Sequence, residues 1–354
     1  MATTWQEQGP RPILGGANVK TTGQPQVGSI LAVAPHPTNQ DIIWVAGVNG
    51  GIWKTTNATT TTPTWTNLTD NAASLSISSI DVDLADTNYQ TLIAGVGRFS
   101  SFRSIGGNLT GLLKSTDGGT TWNPTGGTTL NDFNISDVAV YGTTVIVSAS
   151  SRQIFSNGGG LFLSKDSGAT FTQITGLPTG TNFKDLAKDP ANPTNFYVTV
   201  YGGGATGNGI YRSADSGATW TNITGAIAGI NNTTNNLRVA VHSNAGTTAI
   251  YVGIVNNSQL ASIWRSADNG TNWKQMDLPT STEAGGKTPG VHPGTQGSIH
   301  FSFVAHPTDP NIVYVGGDRT PGDLPNSLGA RAWYGLLFRG DASKATGSQW
   351  APIK

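Results

Sequence analysis

The chain has 354 residues, with 20 Lys plus Arg balanced by 20 Asp plus Glu, and charged residues make up only 11% of it. Charge this sparse and even leaves no basic stripe for nucleic acid or an anionic membrane surface, and no apolar run approaches the ~20 residues of a spanning helix. Cysteine is absent, which removes disulfides and thiolate chemistry, while 47 glycines amid short clusters of branched and aromatic residues describe short strands joined by many turns.

In chain order, residues 1–10 read as a lone outer strand around Trp5. A first strand over Ser29–Ala34, a His36-Pro37-Thr38 turn and a second strand over Ile42–Val45 follow, and the same segment returns as Ile299–Val304, His306-Pro307-Thr308 and Ile312–Val315. After a variable loop comes a third strand, such as Gly209–Arg212, and then an eight-residue motif. That motif runs from Ser115 through Asp117 and Gly119 to Trp122, and recurs as Ser164, Asp166, Gly168, Phe171; as Ser213, Asp215, Gly217, Trp220; and as Ser266, Asp268, Gly270, Trp273. A degraded copy holds Thr55, Asn57 and Trp65, and a last one keeps little beyond Asp341 and Trp350.

The pattern has a mechanical reading: Asp accepts backbone N–H bonds, Gly supplies a φ that other residues resist, and the aromatic caps the unit. Fourth strands are expected to open on aromatics 65, 122, 171, 220, 273 and 350. Such spacing suits four-stranded antiparallel blades in one all-β propeller domain, with blades near 28–68, 76–125, 133–175, 182–224, 235–277 and 297–353. The surplus strand at 1–10 would close the ring, and it implies either six blades with a spare strand or a seventh, incomplete blade continued in a longer parent chain.

These motifs resemble the Asp-box, or bacterial neuraminidase repeat, of the sialidase superfamily, from Trp5 to Trp350. The resemblance implies a propeller like those of secreted bacterial sialidase-like and xyloglucanase-like proteins, sortilin-type receptors and photosystem assembly factors, but no single activity. A sialidase site needs an arginine triad, a Tyr–Glu pair and an acidic Asp; here the only glutamates are Glu7, in the outer strand, and Glu283. Arg11-Pro12-Ile13 does not reproduce the family's Phe/Tyr-Arg-Ile-Pro signature. Where xyloglucanases resemble Asp-Ile-Gly-Gly and use that Asp in catalysis, this chain reads Val48-Asn49-Gly50-Gly51.

Function is expected on the face bearing the second-to-third and fourth-to-first strand loops: 97–110, 150–160, 201–209, 254–262 and 317–335, with 10–27 and 274–297. Residues there that the repeat does not require are Arg98, Phe99, Phe102, Arg103, Arg152, Phe155, Tyr201, Asp318, Arg319, Asp323, Arg331, Trp333 and Tyr334. Trp333 is the one tryptophan off the repeat register, and beside Arg331 and Tyr334 it could stack on a sugar or clamp a peptide, or bury itself as a small loop core. Arg212, Arg265 and Arg339 share the register of Lys54 and Lys114, which marks them as structural or solvent-facing. The repeat accounts for His36 and His306, so no metal site is expected from them. No cofactor is expected, although Asp318 and Asp323 with loop carbonyls could hold calcium.

The first expectation is therefore an extracellular or cell-surface propeller, non-catalytic, that binds glycan or protein. A glycoside hydrolase built on Asp318, Asp323 or Glu283 with Arg98, Arg103, Arg152 or Arg319 is the second, and it needs two carboxyls roughly 5–10 Å apart. A surface-layer or filament component that self-assembles by edge pairing is the third.

Overall fold

The computed structural model describes residues 29–99, 105–151, 158–283, 286–320 and 335–353, apart from the side chains of residues 205 and 206. Short alternating runs such as Ile43–Gly47 and Phe196–Tyr201 cannot bury their apolar side chains alone, so each pairs with its sequence neighbours. The result is six four-stranded antiparallel sheets, each made of four consecutive strands. The fold class is thus the all-β propeller with four-stranded blades, and the one helical turn among the described residues is α1 (Gly204–Gly207).

The first blade holds β1 (Ile30–Pro35), β2 (Ile43–Gly47), β3 (Gly51–Thr55) and β4 (Thr66–Asn67). The second holds β5 (Ile77–Val82), β6 (Leu92–Val96), β7 (Leu112–Ser115) and β8 (Asn123–Thr125), and the third β9 (Asn134–Tyr141), β10 (Thr144–Ser150), β11 (Gly160–Ser164) and β12 (Thr172–Gln173). The fourth consists of β13 (Asn182–Lys188), β14 (Phe196–Tyr201), β15 (Gly209–Ser213) and β16 (Thr221–Asn222). The fifth has β17 (Thr234–Asn244), β18 (Thr247–Asn256), β19 (Gln259–Ser266) and β20 (Lys274–Met276), and the sixth β21 (Ser302–Ala305), β22 (Ile312–Arg319), β23 (Gly335–Asp341) and β24 (Trp350–Ile353). The outer strand expected over residues 1–10 lies outside the described residues.

The chain divides into two compact units, one carrying the first three blades and the other the last three. Within the first unit the innermost strands β1, β5 and β9 lie side by side, and within the second β13, β17 and β21 do so. Apolar side chains fill the space between neighbouring sheets. Trp44, Ala46 and Ile52 of the first blade pack on Ile77, Leu92 and Leu113 of the second; Tyr251, Ala240 and Ile263 of the fifth pack on Val313, Val315 and Phe338 of the sixth. Packing is tight enough to dictate glycine at Gly253, where a Cβ would sit 2.5 Å from the Phe301 ring.

Three sequence expectations change. The fourth strands begin one residue after the aromatic in the first five blades, because the turn extends to the residue preceding the ring: Thr219 N, for example, is held by Asp215 at 2.9 Å. The loop expected at 254–262 is a tight hairpin instead. β18 and β19 pair through Asn256 and Gln259, and Asn257 (φ 49°) and Ser258 (φ 63°) make a turn with both central residues left-handed, the twist that suits paired strands. Finally, Ile299–Phe301 are not strand, since Ile299 N and His300 N turn back to Gln296 O.

Candidate functional site

Each intact motif folds into the same turn. In the fourth blade Ser213 Oγ donates to Asp215 Oδ1 at 2.8 Å and accepts from Gly217 N at 2.8 Å. Asp215 Oδ1 also accepts from Thr219 N at 2.9 Å, and its Oδ2 from Thr219 Oγ1 at 2.5 Å. Asp117, Asp166 and Asp268 repeat these bonds, with Asn272 replacing the threonine in the last. The threonine hydroxyl, then backbone N–H, hold Asp117 and Asp215 down at about 2 and Asp166 well below the carboxylate range. These carboxylates are spent on the turn. Of the aromatics, Trp220 Nε1 donates to Gly217 O within its own turn and Trp273 Nε1 to Ile223 O of the preceding blade, whereas Phe171 is buried and Trp122 packs on the core between the first two blades.

The second and third strands carry a clamp for the next blade. Trp44 Nε1 and Lys54 Nζ both donate to Gly118 O, at 3.0 and 2.8 Å, and Lys114 Nζ donates to Ser167 O at 2.8 Å. Tyr251 Oη and Arg265 both reach Pro310 O, at 2.6 Å from the hydroxyl and 3.1 Å from Nη2. Burial pushes Tyr251 and Tyr197 up to about 12. The histidine turns are built alike: Nδ1 of His36 accepts from Thr38 N and Asn39 N, and Nδ1 of His306 from Thr308 N and Asp309 N. Asp189 serves the same purpose for Ala191 N and Asn192 N, so the histidines stand where a turn-capping carboxylate can stand.

At the opposite, loop-bearing end of the first unit, polar side chains brace backbone. Arg98 donates through Nε to Gly107 O at 2.7 Å, and its N–H goes to Asn134 Oδ1 at 2.8 Å. Asn134 in turn donates to Ser151 O. Asn49 Nδ2 donates to Ile105 O at 3.3 Å while its Oδ1 accepts from Ser76 Oγ at 2.5 Å. Phe99 is buried.

The second unit has a parallel set. Asp318 is buried, and its two oxygens accept from Gly294 N at 3.0 Å and Gln296 N at 2.5 Å. Asn236 Nδ2 donates to Gly297 O, and His292 Nε2 donates to His300 O at 2.9 Å. Burial lowers both His292 and His300, against the pull of Asp318. Arg319 is exposed at the end of β22, Tyr201 is half-buried at the end of β14, and Glu283 is buried in the 277–301 connection, its N–H on Lys287 O. Phe102, Arg103, Arg152, Phe155, Asp323, Arg331, Trp333 and Tyr334 lie outside the described residues. No cluster of three or more His, Cys, Asp or Glu able to hold a metal occurs among the described residues.

Sequence reasoning missed a partly buried charged pair on adjacent innermost strands. Arg238 Nη1 lies 2.6 Å from Asp185 Oδ1, and Asp185 Oδ2 accepts from Val239 N at 2.7 Å. Lys184, beside it, is also buried. Aligning the blades on Arg212 and Arg265 would have placed Asp185 and Arg238 at one register position.

The Sortilin-Vps10 family model (sortilin, neurotensin receptor 3) matches residues 159–284, less than half of the chain. Among solved structures the chain is similar to a GH74 xyloglucanase from Xanthomonas campestris, with 17% identity, a TM-score of 0.59, and coverage of 92% of this chain and 45% of that one. It is also similar to a GH74 enzyme from Niastella koreensis, with 18% identity, a TM-score of 0.61 and the same coverages. At that identity the likeness is one of fold, and the chain spans less than half the length of these enzymes. No curated protein matches the sequence significantly. Among the described residues no helix is long and apolar enough to cross a membrane.

Proposed function

We propose that the chain is an extracellular, non-catalytic binding propeller that recognises glycan or protein through the face carrying the second-to-third and fourth-to-first strand loops. One observation carries this reading. Asn49 occupies the place where the xyloglucanase-like pattern puts a catalytic carboxylate, and its amide is committed on both sides, to Ile105 O and Ser76 Oγ. An amide can neither protonate a leaving oxygen nor act as base, and glycoside hydrolysis generally requires two carboxyl groups. Supporting it, Asp318 accepts two backbone N–H bonds, which suits a carboxylate that shapes a loop. The GH74-like fold makes β-glucan oligosaccharides the first ligand class to offer.

The test is titration calorimetry with xyloglucan oligosaccharides, a wider glycan array and a peptide library, alongside a reducing-sugar assay on the same glycans. Saturable binding without new reducing ends supports the reading. Hydrolysis of any glycoside, or no binding of any class, rejects it.

A further inference from the structure

A cavity of about 290 Å³ opens between the second and third blades, beside the motif turn at Ser167. Two features of the repeat make room for it. In the first, fourth, fifth and sixth blades the second-strand residue paired with the third-strand cation is aromatic: Trp44 opposite Lys54, Tyr197 opposite Arg212, Tyr251 opposite Arg265 and Tyr314 opposite Arg339. In the second blade that pair is Ile93 and Lys114, and Ile93 lines the cavity. The first-to-second strand connection is also short in the third blade, where only Gly142 and Thr143 separate β9 from β10, against Asp83–Thr91 in the second. These turns and the one at Ser167 all belong to the first unit, and each is described along its whole length.

The lining carries two carboxylates, Asp83 and Asp86, and one ammonium, Lys114. Asp83 follows β5 at the position that His36, Asp189 and His306 hold in the first, fourth and sixth blades, and Asp86 matches Asn39, Asn192 and Asp309. Of these four blades only the second has a carboxylate at both positions. Asp189 shows what the turn itself requires: Oδ1 accepts from Ala191 N and Asn192 N, and Oδ2 from Asn195 Nδ2. Asp83 is only 5% exposed, and its Oδ1 alone holds the backbone, accepting from Ala85 N at 2.9 Å and from Gly142 N of the next blade at 2.8 Å. Its Oδ2 has no donor among the described residues. Asp86 is saturated, with Asn88 N on one oxygen and Gln90 N, Thr91 N and Thr91 Oγ1 on the other. The Thr91 hydroxyl holds it below its ordinary value, so it stays ionised. Lys114 Nζ is engaged by Ser167 O at 2.8 Å.

We infer that this cavity is a binding site for an alkyl ammonium or guanidinium group, of the kind a lysine or arginine side chain carries. A buried carboxylate oxygen without a donor is costly to leave bare, and a cation that brings N–H bonds satisfies it best. The lining bears one negative charge in excess, which a single cationic head neutralises, while Ile93, Val140 and Ala85 offer apolar wall to its stem. At about 290 Å³ the cavity lies at the small end of ligand pockets, roughly 300–1,000 Å³, which suits one side chain and not a stretch of glycan. A divalent metal is a poor match, because Asp83 offers one oxygen and those of Asp86 are taken, whereas such ions gather about six. The cavity lies at the opposite end of the first unit from the loop face, so it is independent of the glycan or protein binding proposed there.

Amide NMR and titration calorimetry on the full chain test it with acetyl-Gly-Lys-Gly-amide, acetyl-Gly-Arg-Gly-amide, n-butylammonium and, as the uncharged control, the same tripeptide carrying norleucine. The cationic probes should shift the Gly142 and Thr143 amides saturably and bind at least tenfold more tightly than the norleucine peptide. Asp83→Asn keeps an oxygen for Ala85 N and Gly142 N but puts an amide in place of the second carboxylate oxygen, and it should weaken binding at least tenfold. Ile93→Tyr supplies the ring that other blades carry, and it should abolish binding with Tm unchanged or raised, which separates a filled cavity from a misfolded chain. Peptides binding more tightly than n-butylammonium identify a protein side chain as the source, and the reverse identifies a free amine; both outcomes support the site. No shift with any cationic probe, a norleucine peptide that binds as tightly as the lysine peptide, or cation binding undiminished in either folded variant overturns it.

Discussion

Replacing Ser213 with alanine should destabilise the fourth blade more than any exposed change in the same turn. The hydroxyl is fully buried and does two jobs, accepting from the buried Gly217 N–H at 2.8 Å and donating to the Asp215 carboxylate at 2.8 Å. Alanine leaves that N–H without an acceptor, which costs about 1–3 kcal/mol, and deletes one charge-assisted bond to a largely exposed carboxylate, worth about 0.5–1 kcal/mol after solvent screening. The expected loss is about 2–3 kcal/mol, or roughly 5–10 °C in Tm for a unit of this size. Thr219→Val is the contrast: its hydroxyl bonds Asp215 Oδ2 at 2.5 Å, but the position is exposed, so the loss should stay under about 1 kcal/mol. Urea unfolding followed by tryptophan fluorescence, with calorimetry for Tm, reads both. A Ser213→Ala loss below about 0.5 kcal/mol, or a larger loss for Thr219→Val, would refute the assignment of this motif to turn architecture.

Other outcomes follow from the same geometry. Thr219→Val should let Asp215 rise from about 2 toward its ordinary 3.8, which side-chain NMR titration can follow. Because the folded values of Asp117 and Asp215 are depressed, their stabilising share is complete above 3.8 and lost as pH falls toward about 2. Tyr197 and Tyr251 run the other way: their folded values are raised from 10.0 to about 12, so stability should hold below pH 10 and fall as pH rises from 10 to 12, by up to about 3 kcal/mol per tyrosine. Alkaline melts of Tyr251→Phe should lose part of that dependence. Ser167→Gly, at φ 61°, should stabilise by about 0.5–1 kcal/mol in urea melts, as Gly118 already occupies the equivalent position of the second blade. Gly317→Ala should cost more than about 3 kcal/mol, because its Cβ would lie 2.0 Å from Val291 O, and the variant should show that loss in urea or fail to fold.

The blades were legible because the motif is local. Ser, Asp, Gly and Thr within one turn bond one another, so Ser115 to Trp122 predicts its own hydrogen bonds, and His36 and His306 announce equivalent turns. Hairpin turns without glycine were not: Asn257-Ser258 adopts left-handed φ at both positions, yet the dipeptide reads as one more polar loop. The clamps were half legible. Register marked Lys54, Lys114 and Arg265 as structural or solvent-facing without choosing between the two, because their acceptors, Gly118 O, Ser167 O and Pro310 O, are backbone atoms 45 to 64 residues away in the next blade. The same distance hid the Asp185–Arg238 pair. At the loop face, Arg98 and Asp318 stood out because the repeat does not call for them, and loop bracing is a use that leaves the same trace in sequence as ligand binding.

The central claim, binding without hydrolysis through the loop face, is tested most directly by one titration. Xyloglucan oligosaccharides, array-selected glycans and peptides would be titrated into the unmodified chain and into Trp333→Ala, with the glycan products analysed by mass spectrometry afterwards. The account predicts saturable binding by the unmodified chain to at least one ligand, at least tenfold weaker in Trp333→Ala, and every glycan recovered intact. Cleaved glycan, or binding unchanged by substitution of Trp333, would contradict it.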